Sequence, residues 1–266
     1  MANHGYEIID AHAHIFPTKL AERATGAIGD FYGIPMLEIG TSEKLLDSAK
    51  AAGVGRMLVC SSATTAHQVR SINDFIAGEC EKHPEFFGLG TLHPDMQDYG
   101  EEIEHIRALG LHGIKLHPDF QHFAIDDERA FPMYDAIGEM PILFHTGDRR
   151  YHYSNPFRLA NVLRNFPKMH AIAAHLGGYS EWNDAVHELA GKGEFLRFDT
   201  SSAQSILPAD QVRKFIETYG VENCFWGDDF PMWDYESEIE AFLKIGLSDN
   251  DNSRIFSENF KEYFSI

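Results

Sequence analysis

One pattern recurs along the chain and restricts its fold more than any other: a short apolar run closed by turn residues, then an amphipathic stretch. Eight runs read as strands: YEIIDAHAHI (6–15), GRMLVCSS (55–62), FFGLGTLHP (86–94), HGIKLHP (112–118), PILFHTGD (141–148), HAIAAHLGG (170–178), FLRFDTSS (195–202) and NCFWGDDFP (223–231). After the first unit their starts recur roughly every 25–35 residues, the length of one strand–helix repeat in an eight-fold α/β barrel. Between them, SEKLLDSAKAAG, HQVRSINDFIAGECEKH, YGEEIEHIRALG and PADQVRKFIETYG carry helical periodicity. Several of these end in glycine, a common helix terminator. Parallel strands need long crossovers, so this alternation favours a parallel sheet. The expected fold is α/β, a single (β/α)8 TIM barrel forming one domain over 1–266, with a long loop (16–41) after the first strand. A doubly wound open sheet has the same alternation and stays open at this level.

Composition narrows the partners. Of 266 residues, 44% are hydrophobic and 24% charged, enough for a large core. The formal charge of −19 repels phosphate backbones and anionic lipid, so neither nucleic acid nor a membrane is an expected partner. Cys60, Cys80 and Cys224 form no CxxC pair, which argues against a disulfide framework or a cysteine zinc site. The start, MANHGYEIID, lacks a basic segment followed by an apolar one, and no apolar run approaches the ~18–20 residues of a membrane span. These features predict a cytoplasmic protein acting on a small molecule, with a homodimer as its candidate assembly.

The polar residues sit where a barrel would use them. The first predicted strand ends in His12 and His14, the fourth in Lys115 and His117, the fifth in His145, the sixth in His175, and the eighth in Asp228 and Asp229. In a βα barrel the C-terminal strand ends meet on one face, where active sites are built. Side chains alternate along a strand, so His12 and His14 point the same way and can share a metal ion. By itself such a pair is as readily a chance surface feature. Clustering with His145, His175 and an acid of the eighth strand makes it a site. Alternation does not say which of Asp228 and Asp229 faces inward.

Taken in order, DAHAHIFP, GIKLHPDFQ, FHTGD, AHLGG and FWGDDFP resemble the amidohydrolase superfamily. More narrowly they resemble its amidohydrolase-related branch, which includes aminocarboxymuconate-semialdehyde decarboxylase. The tail RIFSENFKEYF resembles the branch's closing helix, with Asn259 at its usual Asn. The resemblance implies a metal held by His12, His14, His145 and Asp229, with His175 touching substrate or the catalytic water. It aligns Asp229 with the metal-binding, proton-shuttling acid and puts Asp228 where a small hydroxyl residue is usual. Lys115 occupies the strand position that bridges two metals in binuclear members. The motif around it is common in the single-metal branch, so the expected cofactor is one divalent ion, zinc, with manganese as the alternative. Asp10 is expected to orient a ligand histidine.

Lys115, His117 and Gln121 are expected to line the substrate pocket. Arg149, Arg150 and Tyr151, in GDRRYHYSNP, would bind a substrate carboxylate and flank a ring, unless the arginines pair with the chain's own acids. The expected activity is a metal-dependent hydrolase using activated water on an amide, lactone or ester of a carboxylate-bearing substrate. The alternative is a non-oxidative decarboxylase of an aromatic or unsaturated acid. The chain is shorter than typical decarboxylases of this branch, which favours hydrolysis. A non-catalytic metal-binding protein is a third class, disfavoured by the intact ligand set.

Overall fold

The computed structural model describes residues 5–266. The chain begins with β1 (Ile9–His14), α1 (Thr18–Tyr32), α2 (Ser42–Ala52), β2 (Arg56–Cys60), α3 (Val69–Lys82), β3 (Phe86–Gly88), β4 (Gly90–Thr91) and α4 (Tyr99–Ala108). It continues through β5 (Ile114–Leu116), α5 (Pro118–Gln121), α6 (Phe131–Ile137), β6 (Ile142–Phe144), α7 (Pro156–Asn165), β7 (Ala171–Ala173), α8 (Trp182–Leu189) and β8 (Leu196–Asp199). It closes with α9 (Ala203–Ile206), α10 (Ala209–Tyr219), β9 (Cys224–Phe225), α11 (Tyr235–Leu243), α12 (Asp249–Ser253) and α13 (Asn259–Phe264).

Helix boundaries follow local chemistry. The Thr41 side chain accepts the Lys44 amide at the start of α2, and Gly53 ends that helix at φ 82°. Asp98 and Asp234 cap α4 and α11 in the same way. The long connection after β1 is ordered: Pro17 opens α1, and Gly33 ends it at φ 68°. Among the described residues, no helix is long and apolar enough to cross a membrane.

The residues group into two compact units. One comprises the chain up to Cys60, Glu79–Phe87 and Thr200–Ile266; the other comprises Ser61–Gly78 and Gly88–Asp199.

In the first unit β1 runs parallel to β2, with His14 opposite Cys60 and a register shift between Asp10 and Ala13. The segment following β9 lies along the other side of β1. Ala11 N donates to Trp226 O at 2.9 Å, Asp229 N to His12 O at 2.9 Å, and His14 N to Phe230 O at 2.8 Å. The closing tail supplies much of this unit's core. Phe256 meets Trp226 and Phe242, and Phe260 meets Phe87 and Phe225. Each such ring contributes about 1.5–3 kcal/mol by leaving water. Asn259 Nδ2 donates to the carbonyls of Val221 (2.7 Å) and Cys224 (2.9 Å), which ties the tail to the start of β9.

In the second unit β4 to β8 are parallel throughout. Thr91, Lys115, Leu143, Ile172 and Arg197 form one row across the five strands. The ladders are shorter than the apolar runs that announced them: 141–148 pairs only over Ile142–Phe144. Lys115 stays within the ladder, whereas His117, His145 and His175 lie just past the ends of their strands. His117 caps α5, His145 follows β6, and His175 sits in a left-handed turn at φ 58°. Backbone released from pairing can turn, and these turns set the directions of the side chains.

Candidate metal centre

In the first unit the side chains of His12, His14 and Asp229 face one another. His12 Nε2 lies 3.1 Å from His14 Nε2. Asp229 Oδ1 lies 3.7 Å from His12 Nε2 and 3.6 Å from His14 Nε2. The last two separations are too long for hydrogen bonds. They fit two ligands of one ion, since bonds of about 2.0–2.2 Å at tetrahedral angles place donors roughly 3.3–3.6 Å apart. Two imidazole nitrogens and one carboxylate oxygen around a single point suit a borderline or hard divalent cation. The residues present therefore fit the metal that the resemblance implies. The Cys60 thiol adds a soft donor near the same histidines, within 4.8 Å, with Sγ 3.7 Å from His14 Nδ1.

The backbone explains the convergence. Asp229 follows β9 in the segment bonded along β1, and its left-handed φ of 76° turns its side chain away from ordinary strand alternation. Asp10 holds this arrangement by its carboxylate. Oδ1 accepts the amides of His12 (2.9 Å) and Asp228 (3.0 Å), and Oδ2 accepts the Tyr235 hydroxyl (2.7 Å). Asp10 thus anchors the main chain of His12. The His12 ring is held from elsewhere, by the Ser201 hydroxyl 3.0 Å from Nδ1. Sequence reasoning passed over Ser201 and Ser202, although both lie in DTSS, directly after β8.

The neighbouring acid is a different species. Asp228 is fully buried, and neither carboxylate oxygen has a hydrogen-bond partner. Burial, with Asp10 and Glu238 nearby, pushes its carboxyl well above the usual range. Burial also raises Glu238, to about 9, against a lowering hydrogen bond from Gln204. The folded protein thus keeps a proton on Glu238 that the unfolded chain loses above its ordinary value. Stability should fall as pH rises between those two values, by up to about 1.4 kcal/mol per unit. Glu238→Gln mimics the protonated side chain. Its urea midpoint should match the parent near pH 5 and exceed it at pH 8; a gap that does not grow with pH refutes this.

In the second unit the expected histidines also meet. His145 Nδ1 lies 3.0 Å from His175 Nε2, and His145 Nε2 lies 3.7 Å from Asp119 Oδ2. His175 is set by its turn, with its amide donating to Asp199 Oδ1 at 2.9 Å and its carbonyl accepting from Trp182 Nε1 at 2.8 Å. Close packing builds the turn. At Gly147, with φ 89°, an added Cβ would sit 2.3 Å from Gly178 Cα, so the glycines of FHTGD and AHLGG are steric necessities. His117 is stacked between Phe120 (3.7 Å between ring centroids) and His145 (4.0 Å). Asp119, not anticipated from sequence, is fully buried, and burial pushes its carboxyl to about 7.

The expected substrate contacts have varied placements. Lys115 is fully buried on β5. Gln121 is committed to main chain: Nε2 donates to Ala63 O (2.9 Å) and Leu92 O (2.7 Å), and Oε1 accepts His117 N (2.8 Å). Arg150 forks onto Asp148, at 3.0 and 2.6 Å, and lies 5.6 Å from the Tyr151 ring centre. Arg149 donates to the Ser180 carbonyl through Nε at 3.0 Å. Pairing with the chain's own acids, the second reading of the arginines, is therefore what Arg150 does.

A family model described as Amidohydrolase matches residues 9–262. No curated protein matches the chain. The structure is similar to 5-carboxyvanillate decarboxylase LigW from Sphingomonas paucimobilis, at 16% identity over 98% of this chain and 99% of that one, TM-score 0.75. It is similar to an uncharacterized TIM-barrel protein from Bordetella bronchiseptica, at 17% identity over 97% and 98%, TM-score 0.78. It is also similar to dihydroxybenzoic acid decarboxylase from Polaromonas sp. JS666, solved with manganese and the inhibitor 2-nitroresorcinol, at 14% identity over 98% and 97%, TM-score 0.75. These likenesses show the expected α/β TIM-barrel fold.

They also correct one expectation. Hydrolysis of a carbonyl centre was favoured because the chain is shorter than typical decarboxylases. The matched decarboxylases align over nearly their whole length, 97–99%, so length carries no such information. The ligand motifs are shared by both chemistries and never separated them.

Proposed function

This chain belongs to the amidohydrolase family, whose model spans residues 9–262, and on that premise we propose that it is a metal-dependent, non-oxidative decarboxylase of an aromatic carboxylic acid. The observation that carries the proposal is the triangle of His12 Nε2, His14 Nε2 and Asp229 Oδ1. Similarity in fold to decarboxylases of hydroxylated aromatic acids, one of them with bound manganese, supports the choice of reaction. The proposed cofactor is one divalent ion, manganese or zinc, held by His12, His14 and Asp229. His175 is assigned to the substrate.

A divalent ion held by His12, His14 and Asp229 would supply Lewis acidity to a bound carboxylate. The remaining work falls to side chains. Asp229 delivers a proton from its carboxyl to the ring carbon bearing the carboxylate. The bond from that carbon to the carboxylate then breaks, its electron pair returns to the ring, and CO₂ leaves.

The test is a panel of hydroxybenzoates and unsaturated acids given to manganese-loaded and zinc-loaded protein. Release of CO₂, with one proton taken up per turnover, is expected. Turnover of amides or lactones with no CO₂ from any acid would refute the reading. Metal analysis should find one equivalent; two would refute the single ion.

A further inference from the structure

Two adjacent serines stand behind two proposed metal ligands that are distant from each other in sequence. Ser201 and Ser202 are fully buried in the turn between β8 and α9. The turn is fastened to the segment bearing Asp229. Thr200 Oγ1 accepts the Gly227 amide (3.3 Å), and Gln204 Nε2 donates to the Gly227 carbonyl (2.8 Å). An added Cβ at Gly227 would lie 3.2 Å from the Cβ atoms of both His12 and Ser201, so the three segments pass closely enough that a side chain at 227 would crowd them.

The hydroxyls are oriented by what surrounds them. Trp233 Nε1 donates to Ser202 Oγ at 2.9 Å, and the Ser202 hydroxyl donates to Asp229 Oδ2 at 2.7 Å, a closer and stronger acceptor than Met232 Sδ at 3.7 Å. That bond occupies one oxygen of Asp229 and leaves Oδ1 facing the two imidazoles. Ser201 Oγ lies 3.0 Å from His12 Nδ1. When His12 Nε2 offers its lone pair, Nδ1 carries the ring proton and donates it to Ser201.

Backbone conformation argues that the Ser202 hydroxyl is used. Ser202 sits at φ 60°, where glycine or asparagine is the ordinary choice. A serine kept at a strained position earns its place through its side chain. From this geometry we propose that Ser201 and Ser202 are positioning residues. Ser201 fixes the tautomer and aim of His12, and Ser202 fixes the rotamer of Asp229, so that one turn sets both ligands at once. The proposal rests on the metal-dependent reading above.

Ser201→Ala, Ser202→Ala and Ser202→Gly test it, with manganese affinity measured by calorimetry on metal-free protein beside its melting temperature. Glycine relieves the strain at 202, so Ser202→Gly should melt at or above the parent temperature. It should nevertheless bind manganese roughly tenfold more weakly and lose kcat at saturating metal with KM unchanged. Ser201→Ala should weaken manganese binding by about 10–100-fold. Parent-like affinity and kcat in Ser201→Ala and Ser202→Gly would overturn the proposal, whatever their melting temperatures. A parent protein that binds no manganese or zinc would instead overturn the metal-dependent reading, so the two failures are distinguishable.

Discussion

Asp229→Asn is expected to lower the proposed decarboxylation by about 10²–10⁴-fold, because on that mechanism Asp229 supplies the ring carbon's proton and an amide cannot hold and release one. The side chain keeps its shape, so the fold should persist. Ser202 can still donate to the remaining carbonyl oxygen, as it now donates to Oδ2 at 2.7 Å. Metal binding should weaken, since with that oxygen turned to Ser202 the amide NH2, which has no lone pair to offer a cation, replaces Oδ1 beside His12 and His14. Turnover must therefore be compared at saturating manganese. Asp228→Asn is the control. That side chain is fully buried with no hydrogen-bond partner on either oxygen, and burial already favours its neutral form. An amide there should leave turnover within a few-fold of the parent. Full turnover by Asp229→Asn, with loss in Asp228→Asn, would reverse the assignment of the two acids.

His12→Ala should have the largest effect of all, removing metal and activity together. His12 is fully buried and lies between two donors, His14 at 3.1 Å and Asp229 at 3.7 Å. Without it, two of the three donors in that group remain, below the three protein ligands typical of catalytic zinc sites. Metal content after dialysis should fall from about one equivalent to roughly a tenth or less, and CO₂ release should fall to background. His14→Ala guards against a folding artefact, because the His14 side chain is 14% exposed where His12 is fully buried. Metal analysis that finds full occupancy in both variants would refute the site.

The parallel α/β order could be read directly, because its signal is local. Apolar runs such as PILFHTGD and HAIAAHLGG, separated by helical stretches, demand crossovers wherever they pair. The shared facing of His12 and His14 was equally legible, since period-two alternation belongs to the strand itself, and Asn259 could be placed from its motif. The extent of each ladder was not legible. The strands end at Phe144 and Ala173, although the amides of His145 and Ala174 still bond to Leu116 O and Phe144 O at 2.9 Å each, so the apolar runs overstate the ladders by several residues.

The choice between Asp228 and Asp229 lay beyond any local rule. It depends on a left-handed φ at Asp229 and on the Asp10 carboxylate that accepts the Asp228 amide across 218 residues of chain. The serines behind the proposed ligands were hidden for the same reason. Ser202 reaches Asp229 over 27 positions and Ser201 reaches His12 over 189, and a hydroxyl carries no pattern that reveals a distant partner. By itself the sequence determined the repeat, the strand ends rich in histidine and the donor types available for a cation. Only the tertiary structure decided which atoms of those donors face each other, because hydrogen bonds and steric contacts act through space between segments whose spacing along the chain encodes nothing about them.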